Sequence, residues 1–458
     1  MLRTWQAECA TQAMEKYRSG GHHYFCQGTP GAGKTTLAAE VASRLIEAKM
    51  VDIVLCFSPS LTVADGIKKT FSHRLSRSFN GRLGCIGQSL TYQSLPFLSD
   101  EFWTELKSFR VFIVFDEIHH CCGNSISNTN AWGQQILSKI QRLATYTLAM
   151  SGTPWRTDSL PIVMAQYTNP EGELVVDYRY SLKQAIKDKV CRAPKIVLVD
   201  SKKLRLTSKH KEQQTFESIN EFLKETNASY QSIIYNKKAM KHLLGLGCAK
   251  LTEIRKVSAS SGGLVVAASV RHAHSIAKML VEEYQQSVTI VTYLDDMPLA
   301  EIQRFREGIT QWIISVGMVS EGTDIPRLQV CCHLSSIKTE LYFRQVLGRI
   351  LRVNNAPNQD AWLYTFAEPN LVAYSEEIQK DIPDSCLYSK INESLASNIS
   401  TSPSSRTVTK GTMTEVDVMP NLKFGDFTST TGRLALSEQL FDEVVLGEFR
   451  KRVISAFL

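Results

Sequence analysis

The sequence predicts an α/β protein made of two successive parallel-sheet domains. Short, nearly uninterrupted apolar runs recur along the chain with helical stretches between them, which is how strands covered on both faces read. The alternation occurs twice, once at the start of the chain and again from Gly262. At 458 residues, the chain is long enough for two or three domains with sizeable cores.

In the first series, Tyr24-Phe25-Cys26 reads as a strand and Thr36 to Leu45 as the helix after it. Val51 to Phe57, Val111 to Phe115 and Thr145 to Met150 read as further strands. In the second series the strands are Leu264 to Ala268, Val288 to Thr292, Trp312 to Val316, Val330 to Leu334 and Ala361 to Phe366, with Pro194 to Val199 leading in. Ser201 to Val257 reads as helical and basic. Ser389 to Gly411 is rich in Ser, Thr and Asn and reads as a linker. Leu436, Leu440 and Val444, with Phe441, Val445 and Phe449, fall at helical spacings, so a C-terminal helical extension is expected. The expected domains are 1–180, 181–384 with the basic helical stretch at 201–257, a linker at 385–411 and the extension at 412–458.

Composition excludes several classes. No apolar run approaches the ~20 residues of a membrane span, and the first residues lack the apolar core of a signal peptide. The 11 cysteines include no CxxC pair, so neither a zinc ribbon nor a disulfide framework is expected, and reduced thiols point to a cytoplasmic protein. His119-His120-Cys121-Cys122 looks metal-like, but adjacent residues do not all reach one ion. The net charge is +7, and the segment from Ser201 to Lys256 holds the whole surplus. That suits a phosphate backbone as partner, or a solvated helical face.

The chemistry is concentrated at Gly28-Thr29-Pro30-Gly31-Ala32-Gly33-Lys34-Thr35. It fits the phosphate-loop pattern, a glycine, four residues, then Gly-Lys-Ser/Thr. The glycines let backbone N–H groups curl around a polyphosphate. Lys34 brings a point charge to the β- and γ-phosphates, and Thr35 offers a hydroxyl to Mg²⁺. Asp116-Glu117-Ile118-His119 follows the apolar strand directly. There Asp116 would hold Mg²⁺, and Glu117 would orient and deprotonate the attacking water.

From these residues the chain resembles a superfamily 2 helicase or translocase of the Asp-Glu-x-His (DEAD/DEAH box) type. Further motifs follow in the family's order. Arg3-Thr4-Trp5-Gln6 resembles the glutamine motif, Ser58-Pro59-Ser60 motif Ia, and Thr91-Tyr92-Gln93-Ser94 motif Ib. Ser151-Gly152-Thr153-Pro154 resembles motif III, and Ala268 to Arg271 stands at motif IV. Glu321-Gly322-Thr323-Asp324-Ile325-Pro326 resembles motif V, and Gln345-Val346-Leu347-Gly348-Arg349-Ile350-Leu351-Arg352 matches motif VI. The pattern is most similar to the type III restriction subunit and RadD-like branch, without the latter's cysteine-rich C-terminal region.

The resemblance implies two tandem RecA-like domains closing on ATP and Mg²⁺. Gln6 would read adenine. Gly28 to Thr36, Gly322 and Asp324 would line the nucleotide, with Thr35 and Asp116 on the metal. Lys34, Asp116, Glu117, Gln345, Arg349 and Arg352 would be catalytic. Ser58, Pro59, Gln93, His119, Ser151, Thr153, Ser269 and Thr323 would contact nucleic acid or couple the two sites. Trp155 reads as a packed side chain, with base stacking as the alternative.

The implied activity is ATP-driven movement along, or unwinding of, nucleic acid, with DNA favoured over RNA. One alternative is a motor subunit that translocates on duplex DNA within a restriction, repair or anti-phage complex. No nuclease motif stands in the chain, so cleavage would need a partner protein. A second alternative is a binding module that ATP switches. Glu117, Arg349 and Arg352 argue against it, and motif VI in the same chain argues against a ring ATPase.

Overall fold

The computed structural model describes residues 2–123, 130–153, 160–169, 171–207, 213–317, 324–354, 356–380 and 444–455. The first sheet contains β1 (His23–Gly28), β2 (Ile53–Ser58), β3 (Gly87–Thr91), β4 (Val111–Asp116), β5 (Ala144–Ser151) and, after the small antiparallel pair β6 (Gln166–Tyr167) and β7 (Leu174–Val175), β8 (Tyr178–Tyr180). Its order is β3-β2-β4-β5-β1-β8, and every pairing is parallel. The apolar runs form these strands because both faces are covered. Helices α1 (Thr4–Arg18), α2 (Lys34–Glu47) and α3 (Leu61–Leu75) bury Cys9, Ala13, Tyr17, Leu37, Val41, Leu45, Ile67 and Phe71 on one side. Phe57, Trp103, Phe115 and Ile136 fill the other.

Chain order and spatial order differ here in a way that matters. β4, β5 and β1 are neighbours, with Gln27 opposite Ser151 and Asp116 opposite Met150. Three segments distant in sequence, after residues 28, 116 and 151, therefore leave one sheet edge within two strand spacings, about 10 Å. Ser58 and Thr91 are likewise paired at the ends of β2 and β3.

The second sheet contains β9 (Ala193–Thr207), β10 (Gln213–Phe216), β11 (Gly262–Ala267), β12 (Val288–Val291), β13 (Trp312–Ser315), β14 (Leu328–Leu334), β15 (Asp360–Phe366) and β16 (Val444–Ser455). Its order is β10-β9-β15-β14-β11-β13-β12, with β16 on the other edge of β9. Among the described residues of this sheet, only β10 and β16 run antiparallel to their neighbour. The change of sheet falls between Tyr180 and Ala193.

Two expectations are corrected. Residues 201–207 and 213–216 are strand, not helix; the helices of that stretch are Ile219–Glu225, Tyr230–Ile234 and Lys237–Arg255. In Lys203-Leu204-Arg205-Leu206 the basic residues alternate with leucines, a period of two that extends β9. The expected C-terminal helix is strand over Val444–Ser455, paired from Val444 opposite Leu206 to Ser455 opposite Lys195. A spacing of four is even, so it fits a strand face as well as a helix face. β9 offers an edge of backbone groups that need partners, and Val444, Val445, Val453 and Ile454 are β-branched. Residues 381–443, with the expected linker and the start of the extension, lie outside the described residues.

The two sheets are packed together. One continuous apolar cluster runs from α1 and α2 through Ala185, Val190 and Cys191 into the second sheet. The connecting segment is clamped by Arg192, which is almost wholly buried. Its guanidinium donates to the carbonyls of Leu328 (2.5 Å), Pro326 (3.0 Å) and Ile350 (3.3 Å), and to Asn354 Oδ1 (2.8 Å) and Gln359 Oε1 (3.2 Å).

Candidate functional site

The loop after β1 curls because Gly31 and Gly33 take φ of +83° and +93°, conformations that glycine adopts without a steric cost. α2 begins at Lys34, so its first N–H groups, which have no earlier carbonyl in the helix, converge on the loop. α1 braces the loop from behind: Arg3 Nη1 donates to Ala32 O (2.5 Å) and Gln6 Nε2 to Gly33 O (2.9 Å). Gln6 Oε1 accepts from Arg3 N (2.9 Å). Gln6 is buried, with both ends of its carboxamide bound to backbone. Arg3 belongs to this support, and sequence spacing does not single it out.

Lys34 is buried, with Nζ 3.1 Å from both Glu117 Oε1 and Gly28 O. Glu117 holds φ +52°, a left-handed conformation that costs a non-glycine residue about 1 kcal/mol or more. Its Oε2 accepts from Gly152 N (3.2 Å) and Ser151 Oγ (3.4 Å). Burial alone would raise the Glu117 carboxyl, but Lys34 and His119 outweigh it and hold it below its ordinary value. Asp116 moves the other way, raised by burial and by Glu117 beside it. Tyr92, fully buried, donates to Asp116 O at 2.9 Å and fixes the end of β4.

His119, Ser151 and Thr153 are enclosed rather than facing a partner. His119 Nδ1 lies 2.8 Å from Ser151 Oγ, which also accepts from Thr153 N at 3.1 Å. They form an internal relay between the end of β4 and the end of β5. Pro154, Trp155 and the rest of 154–159 lie outside the described residues.

The second sheet reaches the loop through the helix Glu340–Ile350 and the residues after it. Pro30 is wedged between two glycines. A Cβ on Gly152 would stand 3.0 Å from Pro30 Cδ, and one on Gly348 would stand 2.6 Å from Pro30 Cβ. Gln345 and Arg349, four apart on that helix, are both half-buried. Arg352 is not on the helix with Arg349, as its spacing suggests. The helix stops at Ile350 because Arg192 takes the carbonyls of Ile350 and Leu351. Arg352 then bridges to Cys191, pairs with Asp324, and brings its Cγ within 3.3 Å of the place a Cβ on Gly31 would occupy. Asp324 also faces Arg306 at 3.5 Å. Gly322 and Thr323 lie outside the described residues.

The donor set fits a metal-bound polyphosphate. It brings backbone N–H groups at a helix start, one buried ammonium, the Arg352 side chain with its stem beside Gly31 and its guanidinium on Asp324, and the hydroxyl of Thr35 with the carboxylate of Asp116, hard oxygens of the kind Mg²⁺ takes. Thr29, Thr36 and Ala32 complete the loop.

Of the residues expected on the nucleic acid, Ser58 is fully buried, its Oγ 3.4 Å from the carbonyls of Ser60 and Leu90. Its side chain therefore offers a strand nothing, and any contact there would run through backbone. Gln93 Nε2 donates to Pro59 O (2.9 Å) and ties those two loops together. Ser269 caps the helix Val270–Glu282 and binds Tyr235 OH at 2.8 Å.

Residues 1–156 match the family model of the type III restriction enzyme, res subunit. An uncharacterized protein of Mycobacterium leprae is 29% identical over 398 residues, which cover 82% of this chain and 64% of that protein. One of Mycobacterium tuberculosis is 26% identical over 406 residues, 83% of this chain and 64% of its own. The chain thus spans about two thirds of the length of these relatives. A protein of Sulfurisphaera tokodaii named DNA 3'-5' translocase XPB2 is 23% identical over 383 residues, 77% and 78% of the two chains. Among solved structures, a fragment described as an HsdR subunit of a type I restriction enzyme from Vibrio vulnificus aligns with TM-score 0.55 at 16% identity, over 82% of this chain and 66% of that one. Dbp5 of S. cerevisiae, bound to RNA and ADP BeF3, aligns with TM-score 0.50 at 13% identity, over 83% and 88%. The two sheets thus share the RecA-like α/β fold of these solved structures, and residues 1–156 are similar to the type III restriction res subunit. Among the described residues, no helix is long and apolar enough to cross a membrane.

Proposed function

We propose that the chain is an ATP-driven motor that moves along nucleic acid, DNA in preference to RNA. The observation that carries this reading is the contact of the second sheet with the glycine loop of the first, Gly348 on Pro30 and Arg352 over Gly31. A triphosphate in the loop would be touched by both lobes, so hydrolysis and lobe movement would depend on each other. DNA is preferred because a relative at 23% identity is named a DNA translocase and the family of residues 1–156 is a restriction subunit.

Each residue then has a task. The loop N–H groups hold phosphate oxygens, and Gln6 and Arg3 keep the loop in shape. Lys34 leaves Glu117 for the β- and γ-phosphates, which frees the Glu117 carboxylate to take a proton from water. Arg349 and Arg352 neutralise charge on the transferred group, an effect worth about 10³- to 10⁵-fold in rate. Mg²⁺, held by Thr35 and Asp116, would supply Lewis-acid charge at the phosphates. Ser151, Gly152 and His119 would carry the state of Glu117 to the neighbouring loops.

The match to a restriction subunit also favours a second reading, a motor that translocates on duplex DNA without separating it and acts with a nuclease partner. ATPase rates on single-stranded, duplex and forked DNA and on RNA test the proposal. Strand displacement against triplex displacement separates the two readings. No stimulation by any nucleic acid would leave an ATP-switched binding module instead.

A further inference from the structure

Beside Ser269, outside the motifs, stands a half-exposed aromatic ring. Tyr235 precedes the helix Lys237–Arg255, and its hydroxyl lies 2.8 Å from Ser269 Oγ. One face of the ring stacks on His272, centroids 4.2 Å apart and planes 22° apart, while the residue keeps 41% exposure. His272 is itself buried and fixed, its Nδ1 accepting from Ala268 N at 3.3 Å and its Nε2 3.1 Å from Met240 Sδ. Burial pulls this imidazole down to about 4, so it is a neutral stacking partner at physiological pH. The ring is thus held at one face and at its tip, while the residue stays exposed. An exposed tyrosine without a role is normally free to rotate, and this one is not.

The surroundings are basic. From Thr226 to Val281 the chain contains Lys237, Lys238, Lys241, Lys250, Arg255, Lys256, Arg271 and Lys278, and a single acid, Glu253. Lys241 pairs with Glu283 and Lys250 with Glu253. Lys237 and Lys238, two and three residues from Tyr235, and Arg271, two from Ser269, are exposed and have no ion-pair partner among the described residues. Three exposed cations within three residues of this held ring, or of the Ser269 that binds its hydroxyl, suit a chain that alternates aromatic faces with negative charges.

We infer that Tyr235 is a stacking platform for an unpaired nucleobase, with Lys237, Lys238 and Arg271 holding the adjoining phosphates. The site lies at the C-terminal end of β11 and joins Tyr235, Lys237 and Lys238, from the stretch between β10 and β11, to Ser269 and Arg271 of the segment at motif IV. It rests on the proposed function and sharpens it, because a base must be unpaired to stack. The site therefore takes a single strand, not intact duplex.

The test uses the full chain and a fluorescent oligothymidylate, with an abasic strand of equal length as comparison. Stacking predicts that Tyr235→Ala weakens oligothymidylate binding about 5- to 150-fold. Tyr235→Phe, which keeps the ring, should lose little, and binding of the abasic strand should be insensitive to either change. Lys237→Gln, Lys238→Gln and Arg271→Gln together should lower the slope of log affinity against log salt by about 0.7 for each phosphate no longer held, with ATPase in the absence of nucleic acid unchanged. Wild-type affinity in Tyr235→Ala, or an equal loss on the abasic strand, overturns the inference. Binding of duplex but not single strands by the unaltered protein also overturns it, yet leaves a duplex motor standing. Binding of neither overturns both.

Discussion

Gly348 meets Pro30 with no room for a methyl group between them. The two residues belong to different sheets, so the absence of one side chain sets how closely the second lobe approaches the loop that starts α2. Gly348→Ala should push the lobes apart at the site itself. The residue lies inside the helix Glu340–Ile350, where alanine is favoured over glycine by about 1 kcal/mol, so the fold should not suffer. Nucleic-acid-stimulated ATPase should fall at least about tenfold, from misplacement of the arginines, while the melting temperature holds. Turnover and thermal unfolding measured on one preparation check this.

Glu117 and Lys34 hold each other, and the pair should come apart when phosphates arrive. Glu117→Gln should therefore retain nucleotide binding while turnover drops about 10²- to 10⁴-fold, as expected for a lost general base. Titration with a fluorescent ATP analogue and steady-state ATPase give the two readings. A variant that turns over at the wild-type rate would make Glu117 a structural partner of Lys34 only.

Arg192 is the next point of sensitivity. It satisfies three backbone carbonyls and two side-chain oxygens, and has no carboxylate partner among those bonds. Arg192→Met leaves the three carbonyls without these bonds, at about 1 kcal/mol or more each, so a loss of about 3 kcal/mol is expected in urea unfolding. Arg192→Lys should recover only part, since a point charge cannot reproduce the planar fork.

Glu40 on α2 is buried between Arg44 (2.8 Å) and Arg74 of α3 (2.7 Å). Burial alone would raise its carboxyl, yet the two guanidinium groups hold it below its ordinary value of 4.5. A carboxyl depressed in the folded state adds stability that is complete above that value and fades as pH falls through the folded one. Glu40→Gln should cost about 2 kcal/mol at neutral pH. The gap to wild type should then narrow below about pH 4.5. Denaturant midpoints across pH 3.5 to 8 measure it.

Much of this was legible from residues alone. The glycine loop, Asp116-Glu117 and the paired arginines were visible because each needs particular residue types at fixed spacing. The central strands were visible because burial on both faces leaves unbroken apolar runs. What escaped has a common cause: it depends on orientation or on a distant partner. Ser58 stands where a strand contact was expected but turns inward to two carbonyls. Gln6 is near the loop but spends its carboxamide on holding it. Arg352 leaves the helix because Arg192, far back in the chain, takes the last carbonyls. β16 carries a spacing that suits either period, and only the open edge of β9 decides between them.

That edge has a consequence for how the molecule is made. β16 begins 237 residues after β9 ends, and at about 5–20 residues per second a ribosome needs roughly 10 to 50 s to cover that distance. For this interval the nascent second lobe presents a long unpaired strand with Leu204 and Val199 behind it. Another copy of the same nascent strand could pair there in place of β16. β16 is then a seal, and newborn copies on a crowded message are exposed to one another until it closes.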